Sequence, residues 1–448
     1  MGAGRDRPLD IAVVGTGISG MAAAWLLSAR HRVTVYEAGD RVGGHSNTLV
    51  VPDGHGGTTP VDTGFIVYNE ANYPNLTALM RELGVPTRQT DMSFSVSLDA
   101  GRLEYGSTSL GAVFAQRANL MRPRFWSMLL GLRKFYTEAA GRMRDLAPEV
   151  SIGEFLIQDG YSAAFIDDHL MPQAAAIWSC TPEAIRDYPA AAFIRFFDNH
   201  GLLRISMVPE WRTIVGGARA YIAPLTAPYA DRIRLNSPVR AIRRTPAGVM
   251  LRDGNGHVAR HDHVVVAAHA DQALAMLEDP TQQEAGLLGA FAYSKNLAVL
   301  HSDVSLMPRR KRAWAAWNHL GRRGGHSCVT YWMNRLQGLE TEEPLLVTLD
   351  PMHAPRPDSI LKSELYEHPV FNAATAAAQR RLWSLQGVGN TWFAGAYFGA
   401  GFHEDGLQAG LAVAEQLGGV ERPWTVAAPS GRIHVEGPAE RSDAEMVA

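Results

Sequence analysis

The hydrophobic pattern changes period twice within the first forty residues. "DIAVV" (10–14) and "RVTVYE" (32–37) are apolar runs of strand length, and "MAAAWLLSA" between them follows a glycine turn and is too long for a strand. The pattern predicts strand, tight turn, helix, strand. From 233 to 277 short alternating runs are split by "PAG" and "DGNG", which predicts a small antiparallel sheet returning through "VVVAA". "SIGEFL" offers a capping box, Ser151 with Glu154, ahead of an apolar run, and opens a stretch of helical pattern. "FAYSKNLAVLHSD", "AWAAWNHL" and "VTYWMNRLQGL" alternate and carry aromatics as strands do. Near the end "TWFAGAYF" reads as a buried strand, the next glycines as a turn, and "DGLQAGLAVAEQL" as a helix with Asp405 and Gly406 at its start. The chain therefore reads as α/β at its two ends and α+β overall.

Composition narrows the function classes. The chain has 448 residues, enough for two domains, and its net charge of -3 gives no overall attraction to nucleic acid. Cys180 and Cys328 stand alone, so neither a disulfide framework nor a metal-ligand cluster is expected. The polar opening "MGAGRDRPLD" leaves no room for a signal peptide, and no run of 18 apolar residues occurs. The expected location is cytoplasmic.

"GTGISG" in its strand–turn–helix context is the strongest chemical signal. Gly15 permits the sharp turn, Gly17 lets backbone approach a pyrophosphate, and Gly20 lets helix pack on strand. Ile18 and Ser19 supply helix-start N–H groups. Glu37, followed by Ala38, ends the second strand where a carboxylate accepts ribose hydroxyls and repels a 2′-phosphate. Next come Arg41, Gly43 and Gly44, a second charge and a second close backbone approach to a pyrophosphate.

Here the sequence resembles the FAD-dependent amine oxidase superfamily, which implies FAD, a Rossmann-like FAD-binding domain and an inserted substrate or cap domain. Many relatives have arginine where this chain has His45. The resemblance places Asp62 and Gly64 of "VDTG" beside the flavin and the Val239 backbone against adenine. His269 stands where relatives often have proline, and reads as a turn residue or a cofactor contact. Relatives aim a Gly-x-x-Glu-Gly helix start at the flavin. Gly401, Phe402, His403 and Glu404 match its spacing here, with Asp405 where those relatives have glycine, and Gly395, Glu404, Asp405 and Gly406 are the cofactor-contact candidates. An acid there would lower the flavin's reduction potential unless only its backbone faces the ring. The expected division is FAD-binding segments at 1–95, 206–280 and 385–420, a mainly helical cap at 96–205, a substrate-domain sheet at 281–384 and a flexible tail at 421–448.

"VDTGFIVYNEANYPNL", "FFDNHGLL", "HSDVSLMPRRKRAWAAWNHL", "TYWMNRLQ" and "GFHEDG" resemble a narrower group, the flavoproteins found with bacterial cyclopropane fatty acyl phospholipid synthases. That resemblance implies oxidation, desaturation or isomerisation of an acyl chain, with an apolar or acyl-lipid substrate and such a methyltransferase as partner. The resemblance makes Lys295 the loose counterpart of the lysine many amine oxidases hold near flavin N5, although at a strand start it reads first as a surface lysine. Tyr397, His403 and Glu404 are candidate proton carriers. Small-amine oxidation is the alternative, with Trp392 and Tyr397 as an aromatic bracket. A non-catalytic flavin-bearing partner of a methyltransferase is another. No G-x-S-x-G or H-E-x-x-H occurs. "RANLMRPRFWSMLLGLRKFY" mixes Arg117, Arg122, Arg124, Arg133 and Lys134 with Phe125, Trp126, Met128 and Leu129. It reads either as peripheral contact with the inner face of a membrane or as a solvated helix face over the cap's core.

Overall fold

The structure, a computed structural model, describes residues 7–147, 149–178, 182–203 and 210–435. Within them the chain forms two compact units, one from Met1–Gly44, Pro224–Phe291 and Ala374–Ala448, the other from His45–Ala223 and Ala292–Ala373.

The first unit is built on five parallel strands in the order Ile233–Arg234, Arg32–Tyr36, Asp10–Val14, His263–Val266, Thr391–Phe393. Both faces of the inner strands are covered, which is why they read as unbroken apolar runs rather than as alternation. The expected antiparallel meander is present as Val239–Thr245, Gly248–Asp253 and Val258–His261. The helices Ile18–Leu27 and His403–Gly418 lie against one another. A side chain at Gly410 would come within 2.2 Å of the Ser19 carbonyl oxygen, and one at Gly406 within 3.0 Å of Ile18. The two glycine-dense helix starts, nearly four hundred residues apart, thus form one surface.

Three expectations for this unit are corrected. The "TWFAGAYF" strand ends at Phe393, and Ala396–Phe398 is a turn of 3-10 helix. The closing helix begins at His403, two residues early, because the Asp405 carboxylate accepts from the Phe402 N–H at 2.8 Å and caps it. Residues 421–435 pack rather than trail. Arg422 is ion-paired to Glu415 at 2.6 Å, and Trp424 stacks on Trp25 with ring centroids 5.9 Å apart. The rest of the expected flexible tail, 436–448, lies outside the described residues.

The second unit holds a seven-stranded sheet in the order Ile360–Val370, Ala292–His301, Leu346–Leu349, Ser327–Trp332, Trp317–Gly321, Phe94–Leu98, Leu103–Gly106. All neighbours are antiparallel except Trp317–Gly321 with Phe94–Leu98. The helical stretch follows, including Pro123–Arg142 and Ala190–Asn199, and the Ser151–Glu154 capping box forms as its spacing predicts. Compactness puts the first division at Gly44 rather than 95. Asp62 explains it: its carboxylate accepts from Ala218 N–H (3.0 Å) and Gln337 Nε2 (2.8 Å), tying the hairpin Thr48–Pro52/Thr58–Asp62 to this unit. Cys328 is buried and unpaired, and Cys180 lies outside the described residues. No helix among the described residues is long and apolar enough to cross a membrane.

Candidate functional site

In the first unit the glycine turn has the geometry of a phosphate cradle. Gly15 sits at φ +99°, and a Cβ there would meet the Ala267 carbonyl oxygen at 2.6 Å; one at Gly20 would meet the Gly15 oxygen at 2.1 Å. Gly17 differs, with nothing within 4 Å of its Cβ position. It is the N-cap of the Ile18–Leu27 helix, which has no capping side chain and no acid in its first turn, so the Ile18 and Ser19 end keeps its N–H groups and positive dipole for a ligand. Gly44 approaches Gly17 from the other side, 3.1 Å from its Cα to a Cβ there. Backbone open on one face and closed on the other suits a pyrophosphate.

Glu37 is half-buried at the strand end. Its Oε2 accepts from the Thr16 N–H (3.0 Å) and hydroxyl, and its Oε1 accepts from the Gly39 N–H at 2.8 Å. A carboxylate has about four lone-pair sites, so Oε1 retains one for a ribose hydroxyl. Thr16 is a residue the motif reading passed over. It is 1% exposed and also takes the Gly43 N–H on its hydroxyl (3.2 Å) and carbonyl (3.1 Å), binding the two glycine loops together. Its place between two motif glycines was the only signal. Arg41 donates to the Gly44 carbonyl at 3.0 Å and holds the second loop, while Ala38 is exposed beside it. Val239 is buried opposite Asp253 at the start of the antiparallel sheet, and His269 is the N-cap of Ala270–Met276.

At the closing helix the partners of Asp405 are all within the protein. Its carboxylate is fully buried, caps Phe402 and is bridged by Arg432 through Nε at 2.6 Å and Nη2 at 3.2 Å. The acid is charge-compensated and turned into its own cap. Arg432 belongs to the segment expected to be a tail, so sequence order gave no sign of the pair. Glu404 is also fully buried and accepts from Gln408 Nε2 at 2.9 Å along the helix. Burial holds the His403 imidazole neutral, pushed down to about 3. Tyr397 is 2% exposed among Phe291 and Phe398, beside the extended Gly395, and Trp392 is 8% exposed in the parallel sheet next to His263.

The second unit gathers another set around His45. The Gly64 backbone lies so close that a Cβ would fall 2.2 Å from the His45 carbonyl oxygen, and Phe65 N–H donates to that oxygen at 2.8 Å. The His45 ring lies 4.9 Å from Tyr366 and 5.3 Å from His368. The Tyr366 hydroxyl meets Asn47 Nδ2 (3.0 Å) and the Thr63 hydroxyl (2.7 Å), and His368 Nδ1 lies 2.8 Å from Asn296 Oδ1. Tyr366 and His368 were missed from sequence. They alternate on one strand face, a pattern that also describes ordinary sheet, and only folding sets them beside the "VDTG" turn. Asp62 is 1% exposed, and burial pushes its carboxyl up to about 7 against the hydrogen bonds it accepts. Lys295 lies across the strand pair from Glu367, 3.7 Å away with its side chain 68% exposed, a solvated surface ion pair.

Residues 18–418 match the family described as flavin containing amine oxidoreductase. A protein of Mycobacterium tuberculosis named putative flavin-containing monoamine oxidase AofH is 29% identical over 279 residues, 61% of this chain and 59% of that relative. Cyclohexylamine oxidase from Brevibacterium oxydans superposes with a TM-score of 0.62 at 18% identity, covering 92% of this chain and 100% of that one. The CLA-producing fatty acid isomerase from P. acnes gives 0.66 at 16% identity, covering 91% and 98%. At these identities the structural likeness establishes the fold. The chain spans about three-fifths of the curated relative's length.

Proposed function

The chain belongs to the flavin containing amine oxidoreductase family, and from that premise we propose that it is an FAD-dependent oxidoreductase acting on the acyl chain of a lipid. Bound FAD supplies a two-electron acceptor for a hydride from substrate carbon. Gly17, Gly44 and Glu37 would hold its nucleotide half, with Thr16 and Arg41 fixing the two loops that carry them. At the start of the closing helix Arg432 compensates Asp405, while the buried Glu404 carboxylate is tied along the helix to Gln408.

The observation that carries the substrate reading is the packing of Trp392 against His263 and of Tyr397 between Phe291 and Phe398, so that each ring already has an aromatic neighbour rather than standing opposite the other. Within the second unit His45, Tyr366 and His368, tied to Asn47, Thr63 and Asn296, form a polar set of side chains able to carry a proton. An uncharged acyl chain needs no carboxylate to receive it. The quoted phrases shared with flavoproteins of cyclopropane fatty acyl synthase systems support the finer form, a modified acyl group on a phospholipid. Comparing membrane lipids of cells with and without this protein tests it, and an unchanged acyl profile refutes it. Small-amine oxidation is the second reading, favoured by the stretch shared with the monoamine oxidase AofH. Peroxide release with simple amines, and none with acyl substrates, would establish that instead.

A further inference from the structure

Residues 105–137 contain Arg117, Arg122, Arg124, Arg133 and Lys134 and no aspartate or glutamate. Folding brings aspartates from elsewhere in the second unit to Arg124 and gathers other members of the run around them. A recess of about 220 Å³ is lined by Arg102, Arg122, Arg124 and Arg323, with Asp168 as its one carboxylate and Phe125 in its floor. Asp168, 1% exposed, is shared by Arg124 at 2.7 Å and Arg323 at 2.6 Å. Arg323 also pairs with Asp99, and Arg124 reaches Asp167 at 3.8 Å. Arg122 donates only to neutral oxygens, those of Arg102, Gln116 and Asn119, and neither it nor Arg102 has a carboxylate partner among the described residues. The recess is cationic and open to an anion.

Beside it the surface is apolar where a solvated helix would be charged. On Pro123–Arg142 the inward stripe is Phe125, Met128, Phe135 and Ala139, all buried. The outward stripe runs from the N-cap Arg122 through Trp126 and Leu130 to Arg133, with Trp126 45% and Leu130 65% exposed. Trp126 Nε1 donates to the Leu120 carbonyl at 2.9 Å, which joins this stripe to Leu120 and Met121, the latter 86% exposed. Trp126 also lies 6.0 Å from Phe114, which caps the short helix carrying Leu110, 79% exposed. Bulky apolar tips ringed by arginines, with no acid in the run, match an interface of acyl chains below and phosphates above.

We propose that this face of the second unit docks on an anionic bilayer surface, with Leu110, Met121, Trp126 and Leu130 entering the acyl boundary and a headgroup phosphate seated in the arginine recess. The proposal does not rest on the cofactor or on the substrate reading. It is tested by sedimenting the full-length protein with vesicles of phosphatidylcholine alone and of an equimolar mixture with phosphatidylglycerol, at low and high salt. Binding to the mixed vesicles only, weakened by salt, is expected. Met121→Asp with Leu130→Asp should lower the partition coefficient at least about tenfold. Arg102→Ala with Arg133→Ala should weaken it while leaving thermal melting unchanged, since all four side chains lie at the surface. Failure to sediment with either vesicle, equal binding by the apolar double variant, or a dimer in solution that this variant splits without any vesicle binding would each overturn it.

Discussion

Gly17 and Gly20 stand three residues apart in one motif and should fail differently when changed. A methyl at Gly20 runs into the Gly15 carbonyl, so Gly20→Ala is expected to destabilise the fold by about 2 kcal/mol. A methyl at Gly17 meets no protein atom, so Gly17→Ala should keep its melting temperature and lose FAD affinity at least tenfold, as measured by flavin retention on gel filtration. The motif named both glycines without telling the structural from the ligand-facing one, because that depends on where Ala267 and Gly44 come to lie. Asp62 is a second case. Truncation to alanine leaves the Ala218 N–H and the Gln337 Nε2 without their acceptor and should cost about 2 kcal/mol in denaturant unfolding. The resemblance placed Asp62 beside a flavin, and the fold gives it a further task, tying a hairpin to its unit.

Among elements, the closing helix shows what sequence order hides. Its glycines and acids were legible, and so was its general position. Its cap was not, since Arg432 comes fourteen residues after the helix ends, in a stretch with no hydrophobic period. Arg432→Met leaves a fully buried carboxylate unpaired and should lower stability by about 3 kcal/mol. It should also lower the flavin midpoint potential, because an uncompensated negative charge opposes reduction. Asp405→Asn in the same background should restore the potential, and spectroelectrochemistry on the two variants separates this from a loss of packing alone. Equal potentials in all three proteins would remove Arg432 from any part in tuning the cofactor. The strand Ile360–Val370 teaches a similar lesson, as its Tyr366 and His368 look like ordinary alternation until it pairs with Ala292–His301.

For the whole molecule the buried histidines set an acid limit. Burial pushes His169, His301 and His319 down to about 4 and His403 to about 3. Their folded values lie below the unfolded value of about 6.5, so the unfolded chain binds protons that the native one refuses. The stability they contribute is complete above that value and lost as pH falls through 4. Asp62, raised to about 7, acts in the opposite sense, its contribution complete below about 4 and lost as pH rises through 7. Four groups outweigh one, and the unfolding free energy from urea titrations is expected to fall steeply between pH 6.5 and 4, by about 1.4 kcal/mol per pH unit for each histidine still titrating. A flat profile there would mean these imidazoles are solvated. By itself the sequence determined what local chemistry can encode: the strand–turn–helix of the glycine motif, the meander, the Ser151–Glu154 cap and the family. The first three rest on residues within one turn or one hairpin of each other, and the family on several such local motifs read together. Tertiary structure alone decided that the two glycine-dense helices touch, that Asp405 is answered by Arg432, that His45 meets Tyr366 and His368, and that arginines from 102 to 323 line one recess. Those contacts span dozens to hundreds of residues, and hydrophobic burial, which brings them together, is indifferent to sequence separation.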